Sequence, residues 1–107
     1  MRKLFFGGNW KSNNTLKQTQ DLVTTVIDQL EFDPAKVDVV VAPIALHMVT
    51  VNFTKKNEHV SVACQNCSPF GLGAYTGEIT AEQLKDMNFE WVIIGHSERR
   101  SHFQENN

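Results

Sequence analysis

The 107-residue sequence predicts an α/β fold, a parallel sheet covered by helices. Two observations carry that expectation. Short runs of strand character begin near residues 4, 37, 59 and 91. The segments between them carry helical periodicity or helix-start chemistry, so strands and helices alternate along the chain.

The elements follow in order. Residues 4–8, "LFFGG", form a short apolar run. Residues 15–30 place Leu16, Thr19, Val23, Val26, Ile27 and Leu30 at steps of three and four, which predicts a helix with one apolar face. Asp33-Pro34 marks a turn. Residues 37–42, "VDVVVA", are a β-branched strand ended by Pro43. A second helix is expected over 45–54 and a strand over 59–64, "HVSVAC", which alternates. Residues 65–78 form a long loop with Pro69, Gly71, Gly73 and Gly77. Thr80-Ala81-Glu82-Gln83 is a capping box, so a third helix should run to about Asn88. Residues 91–94, "WVII", make the fourth strand, and a helical turn is expected from His96 or Ser97. Periodicity alone leaves open whether the sheet is flat or part of a barrel.

Composition narrows the function. The chain is 41% hydrophobic and 21% charged, which excludes a disordered polymer. Ten basic and twelve acidic residues give a net charge of −2, so no basic excess points to nucleic acid or an anionic membrane. No apolar run approaches the ~20 residues of a membrane helix. The opening "MRKLFFGGNWK" mimics a signal peptide only faintly, since Leu4–Phe6 is too short for its apolar core. Two cysteines without a disulfide framework fit a cytoplasmic location.

Chemistry in parallel α/β folds sits just past the carboxyl ends of the strands. Those positions hold Asn9-Trp10-Lys11, Pro43-Ile44, Gln65-Asn66-Cys67 and His96-Ser97-Glu98. A lysine after a strand is commonly just solvated, and a histidine at a helix start is commonly a cap. An ammonium and an imidazole at two ends of one sheet together favour a site for an anionic substrate. At a helix amino end, unpaired backbone amides disfavour imidazolium, so His96 would donate a hydrogen bond as a neutral ring.

"GGNWK", "AYTGEIT" and "WVIIGHSERR" resemble, in order and spacing, the triosephosphate isomerase family, and the similarity extends over essentially the whole chain. That family is itself an established case of a neutral histidine at a helix start, so the two expectations for His96 are not independent. The resemblance implies the amino-terminal half, about four βα units, of a (β/α)8 TIM barrel. It implies interconversion of dihydroxyacetone phosphate and glyceraldehyde 3-phosphate through an enediolate, in glycolysis and gluconeogenesis, with no metal or organic cofactor. Lys11 matches the lysine that holds the anionic substrate and stabilises the enediolate. Asn9 matches the asparagine at the floor of the site, and His96 the electrophile. Ser97 and Glu98 match supporting positions, with Glu98 placed to pair with Lys11. Arg99 and Arg100 match residues beside the site and near the dimer interface.

The loop 65–78 looks like the family's interface loop, which implies a homodimer. Thr76 matches the threonine that reaches the other subunit, with Tyr75, Gly77 and Glu78 beside it as dimer contacts. The plain alternative is a surface loop, although fourteen residues is long for one without a function. The pattern departs from the family at two places. Ser12, Asn13 and Asn14 stand where the family usually has an apolar residue and Asn-Gly. Tyr75 stands where phenylalanine is common.

A barrel of this kind takes about 250 residues. The glutamate base after the sixth strand and the phosphate-gripping loops therefore have no counterpart in 1–107. The sequence reads as the amino-terminal part of an isomerase, inactive by itself; a short, non-catalytic half-barrel interaction protein is the alternative. Cys64-Gln65-Asn66-Cys67 has C-x-x-C spacing, but it enters a loop rather than a helix, and no second ligand pair supports zinc. His47, His59 and His102 read as surface or packing residues, and Trp10 and Trp91 as packing.

Overall fold

The computed structural model describes residues 3–93. Strand β1 (Leu4–Asn9), helix α1 (Leu16–Thr25), strand β2 (Val37–Ala42), helix α2 (Met48–Thr54), strand β3 (Val60–Cys64), helix α3 (Ala81–Asp86) and strand β4 (Trp91–Val92) follow one another. The four strands are parallel and lie side by side in the order β1-β2-β3-β4.

This order settles what periodicity left open. An open doubly wound sheet reverses its strand order and carries helices on both faces. Here the order is sequential, and the helices share one face. Val23 within α1 and Ile27 just after it, Met48 and Val51 of α2, and Leu84 of α3 pack in one cluster with Val41, Val60, Val62 and Cys64. Val40, Ala42 and Ala63 form a separate cluster on the other face, joined by Trp91 and Ile93. One helix-covered face and one inner face are the wall of a barrel, here a half-barrel.

The inner face is built from small residues framed by two large rings. Phe5 and Trp91 lie 5.4 Å apart. A Cβ at Gly7 would come within 2.8 Å of the Phe5 ring, so glycine makes room for it. A hollow of about 200 Å³ lined by Gly7, Asn9, Ala42, Ala63 and Trp91 runs along this face. On the outward side of β1, Leu4 and Phe6 are 63% and 61% exposed.

Several boundaries differ from expectation, some for local and some for tertiary reasons; β3 begins at Val60 and β4 is described over Trp91–Val92. The first helix stops at Thr25 and continues as a 3-10 turn at Ile27–Gln29. Thr19, Val23 and Ile27 are buried as predicted, while Leu16, Val26 and Leu30 are exposed. The run Thr24-Thr25-Val26-Ile27 is β-branched throughout and resists further helix. Asp28 is also held across the fold, its carboxylate accepting from the amides of Lys56 (2.8 Å) and Asn57 (3.1 Å). The second helical segment begins as a 3-10 turn, Ala45–His47, before α2. Helix α3 ends at Asp86 rather than near Asn88 because Asn88 is left-handed (φ 65°). The Phe89 amide then donates to Leu84 O and the Asn88 amide to Lys85 O, a Schellman closure that buries Phe89 beside Leu84. Strand β1 reaches one residue further than expected, to Asn9, which becomes the last rung against Ala42.

The predicted capping box is present. Thr80 Oγ1 accepts from the Gln83 amide, and the Gln83 side chain accepts from the Thr80 amide. A second box, Thr15 with Gln18, starts α1. His47 is a half-buried packing residue, and His59 lies exposed at the surface. His47 Nδ1 lies 3.0 Å from the hydroxyl of buried Thr19, and His59 meets the Phe32 ring edge-on.

Candidate active site

The first candidate residues converge where β1 ends. Asn9 occupies the last rung of β1, and the Trp10 amide continues the ladder by donating to Ala42 O at 3.0 Å. The chain then turns sharply. Lys11 has φ 55°, a left-handed conformation that costs a side-chain-bearing residue roughly 1–2 kcal/mol. Such strain persists only where neighbours over-determine it, and it collects at functional sites.

Two side chains fix this turn. Asn9 Oδ1 accepts from the Lys11 amide at 2.9 Å. Gln65, just past β3, donates from Nε2 to Lys11 O at 2.6 Å and to Ala42 O at 2.9 Å. Lys11 is therefore held on its amide side by β1 and on its carbonyl side by β3. Asn14 takes φ 76°, a value that asparagine tolerates better than most residues. This explains how an asparagine can serve where the family pattern has glycine. Trp10 is half-buried against the helix-side core, which makes it a packing residue.

Gln65 is the residue that sequence reasoning passed over. It stood at a strand end, but nothing in a single sequence shows a side chain bridging to a residue 54 positions earlier. Its place at the same level as Asn9-Trp10-Lys11 was the available signal.

The loop after β3 is pinned at its root by the amide of buried Ser68 donating to Ile79 O at 2.7 Å. Beyond that point residues 69–78 are exposed. The Tyr75 ring stacks on Phe70, with centroids 4.7 Å apart and planes at 12°. The Glu78 amide donates to Tyr75 O, closing a turn with Thr76 and Gly77 at its corners. Gly77 has φ 85°, the value that a type II turn needs at its third position. Thr76 thus stands at the apex of a turn that glycine makes possible.

Cys64 and Cys67 are both free thiols. Cys64 is buried, and its thiol donates to Asn66 O at 2.8 Å; burial pushes its pKa above the ordinary thiol value. A thiol shifted that way is a poor nucleophile, the reverse of a redox motif. Among the described residues, no group of three or more His, Cys, Asp or Glu gathers to hold a metal, and no helix is long and apolar enough to cross a membrane. His96, Ser97, Glu98, Arg99, Arg100 and His102 lie outside the described residues.

Comparison with known proteins gives one consistent result. The family model for triosephosphate isomerase matches residues 4–107. Curated relatives bearing that name include proteins from Hahella chejuensis, 40% identical over 106 residues, and Taenia solium, 41% identical over 106 residues. A third, from Neurospora crassa, is 43% identical over 104 residues. These alignments take in 97–99% of this chain and 41–42% of each relative, so the chain spans about two fifths of their length.

Proposed function

From the premise that the chain belongs to the triosephosphate isomerase family, we propose that it supplies the Asn9, Lys11 and His96 part of a triose phosphate isomerase site. The reaction is aldose–ketose isomerisation of dihydroxyacetone phosphate and glyceraldehyde 3-phosphate through an enediolate, without metal or cofactor. The observation that carries this proposal is Lys11, held left-handed between Asn9 and Gln65 at the carboxyl end of β1.

The roles follow from charge. The Lys11 ammonium attracts the anionic substrate and stabilises negative charge that develops on the enediolate oxygens. Asn9 forms the floor beside it. His96, a neutral ring by the family resemblance, donates to the carbonyl oxygen and passes a proton between the two oxygens without the cost of a second cation. Ser97 and Glu98 support them, Glu98 pairing with Lys11. The base that removes the carbon-bound proton is the family's glutamate, which lies beyond the residues matched here, so the 107 residues alone should be inactive. The exposed loop carrying Tyr75, Thr76, Gly77 and Glu78 serves a homodimer contact in the cytoplasm.

A chimera tests this. Residues 1–107 replace the corresponding segment of the Hahella chejuensis relative, and turnover of dihydroxyacetone phosphate is followed. Turnover that falls at least a hundredfold in Lys11→Ala and in His96→Ala is the expected result. A folded chimera without turnover, or one indifferent to Lys11→Ala, sinks the proposal.

A further inference from the structure

We propose that the stack of Phe70 on Tyr75 is a conformational clamp, holding the loop 65–78 in its turned form within the single chain, so that Thr76 is presented before a second copy docks. The partner in this proposal rests on the homodimer reading above; the clamp itself does not.

The two rings belong to parts of the loop that the backbone fixes separately. Phe70 is set from the root. Its amide donates to Ser68 Oγ at 3.1 Å, and Ser68 is buried, its own amide donating to Ile79 O at 2.7 Å. Tyr75 is set from the turn. Its amide donates to Gly73 O and its carbonyl accepts from the Glu78 amide, both at 3.0 Å. Among the described residues no backbone hydrogen bond joins 70–72 to 73–78, so the ring pair is what ties the two parts together. The rings lie 4.7 Å apart with planes at 12°, a stacked pair that attracts beyond its buried area. Gly73 makes room for it, since a Cβ there would come within 3.1 Å of the Tyr75 ring. Phe70 and Tyr75 remain 56% and 45% exposed, so the core does not hold them in place. A loop that is ordered only on docking loses freedom at that moment, and the loss is subtracted from affinity. A loop turned beforehand by its own side chains avoids most of that loss. The strength of an aromatic pair favours the closed loop by roughly twofold to tenfold.

Two variants separate a clamp from simple apolar contact. Phe70→Leu keeps apolar bulk and removes the ring, while Phe70→Tyr keeps the ring. In the 107-residue chain, NMR reads the Tyr75 ring protons, which a stacked neighbour shifts upfield, and exchange of the Glu78 amide, which reports the turn. In Phe70→Leu the upfield shift should vanish and exchange should quicken roughly twofold to tenfold. Phe70→Tyr should restore both, and Leu72→Ala, a change at an exposed side chain of the same loop outside the stack, should alter neither. In the Hahella chejuensis chimera, Phe70→Leu should raise the dimer dissociation constant by that factor for each of its two loops, and Phe70→Tyr should not. Unchanged ring shifts and exchange in Phe70→Leu overturn the proposal. So does a Phe70→Leu chimera that dimerises as tightly as the unsubstituted one with its loop loosened. An equal loss of affinity in Phe70→Tyr also overturns it, since direct contact would then be the cause. If the unsubstituted chimera is monomeric, the homodimer reading fails alone, because the clamp is read in the single chain.

Discussion

At Lys11 two demands oppose each other, since the conformation costs energy and the ammonium is needed. Glycine adopts positive φ freely. Lys11→Gly should therefore stabilise the chain by about 1 kcal/mol in denaturant unfolding, and abolish turnover in the chimera. A loss of stability instead would mean that φ 55° is not strained in this setting. Cys64 makes a second residue-scale prediction with a definite sign. Its folded pKa is raised by burial, so above the ordinary thiol range the unfolded chain ionises while the folded chain does not. The stability this represents is complete below the unfolded thiol's pKa and is lost as pH climbs from there toward the folded value. Stability of the wild type should fall more steeply than that of Cys64→Ala above pH ~8.5, and parallel curves would contradict it. At this scale the sequence was legible where a residue type implies its chemistry. Lys11 and Asn9 could be picked by their place after an apolar run. The role of Gln65 could not, because hydrogen bonds between strand ends depend on which strands become neighbours.

Elements were readable where their signals are local. The box at Thr80 and Gln83 was visible because its partners are three residues apart. Its contribution should be large for a helix of only six residues whose capping hydroxyl belongs to a buried residue. Thr80→Ala is expected to cost about 1–2 kcal/mol. Exposed Thr15, capping the ten-residue α1, should cost less on the same change. Equal costs in thermal unfolding would show that burial of the cap does not matter. The break of the first helix was not readable, because part of its cause is tertiary. Asn57 Nδ2 donates to Ile27 O at 3.0 Å and Leu30 O at 3.1 Å, and its Oδ1 accepts from the His59 amide. This one side chain closes the end of α1 onto the start of β3 from 27 to 30 residues away. Asn57→Ala should cost about 1–3 kcal/mol by stranding those carbonyls, with hydrogen exchange rising first at Leu30 and His59.

For the whole molecule, the alternation of strands and helices was written in the sequence, and the closure of the sheet was not. Sequential strand order and helices on a single face emerge only when residues such as Val41 and Val62 are seen to pack on the helices while Val40 and Ala63 turn inward. The same geometry leaves β1 paired on one side alone among the described residues, with Leu4 and Phe6 exposed on its outer surface and Phe5 55% exposed within. An apolar strand with an unpaired edge is a template for association. The 107-residue chain should therefore sediment as a concentration-dependent mixture rather than a monomer. Leu4→Thr with Phe6→Thr keeps strand propensity, since threonine is β-branched, while removing apolar surface. It should shift the distribution toward monomer without lowering the strand content seen by circular dichroism. In the chimera, where the helices of a complete (β/α)8 barrel would cover the outer face of β1, the same pair should be destabilising rather than solubilising. A wild-type chain that remains monomeric at high micromolar concentration would show that the edge is protected by something other than β1's own residues. If the double variant is less soluble than the wild type, Leu4 and Phe6 contribute to the fold of the chain itself.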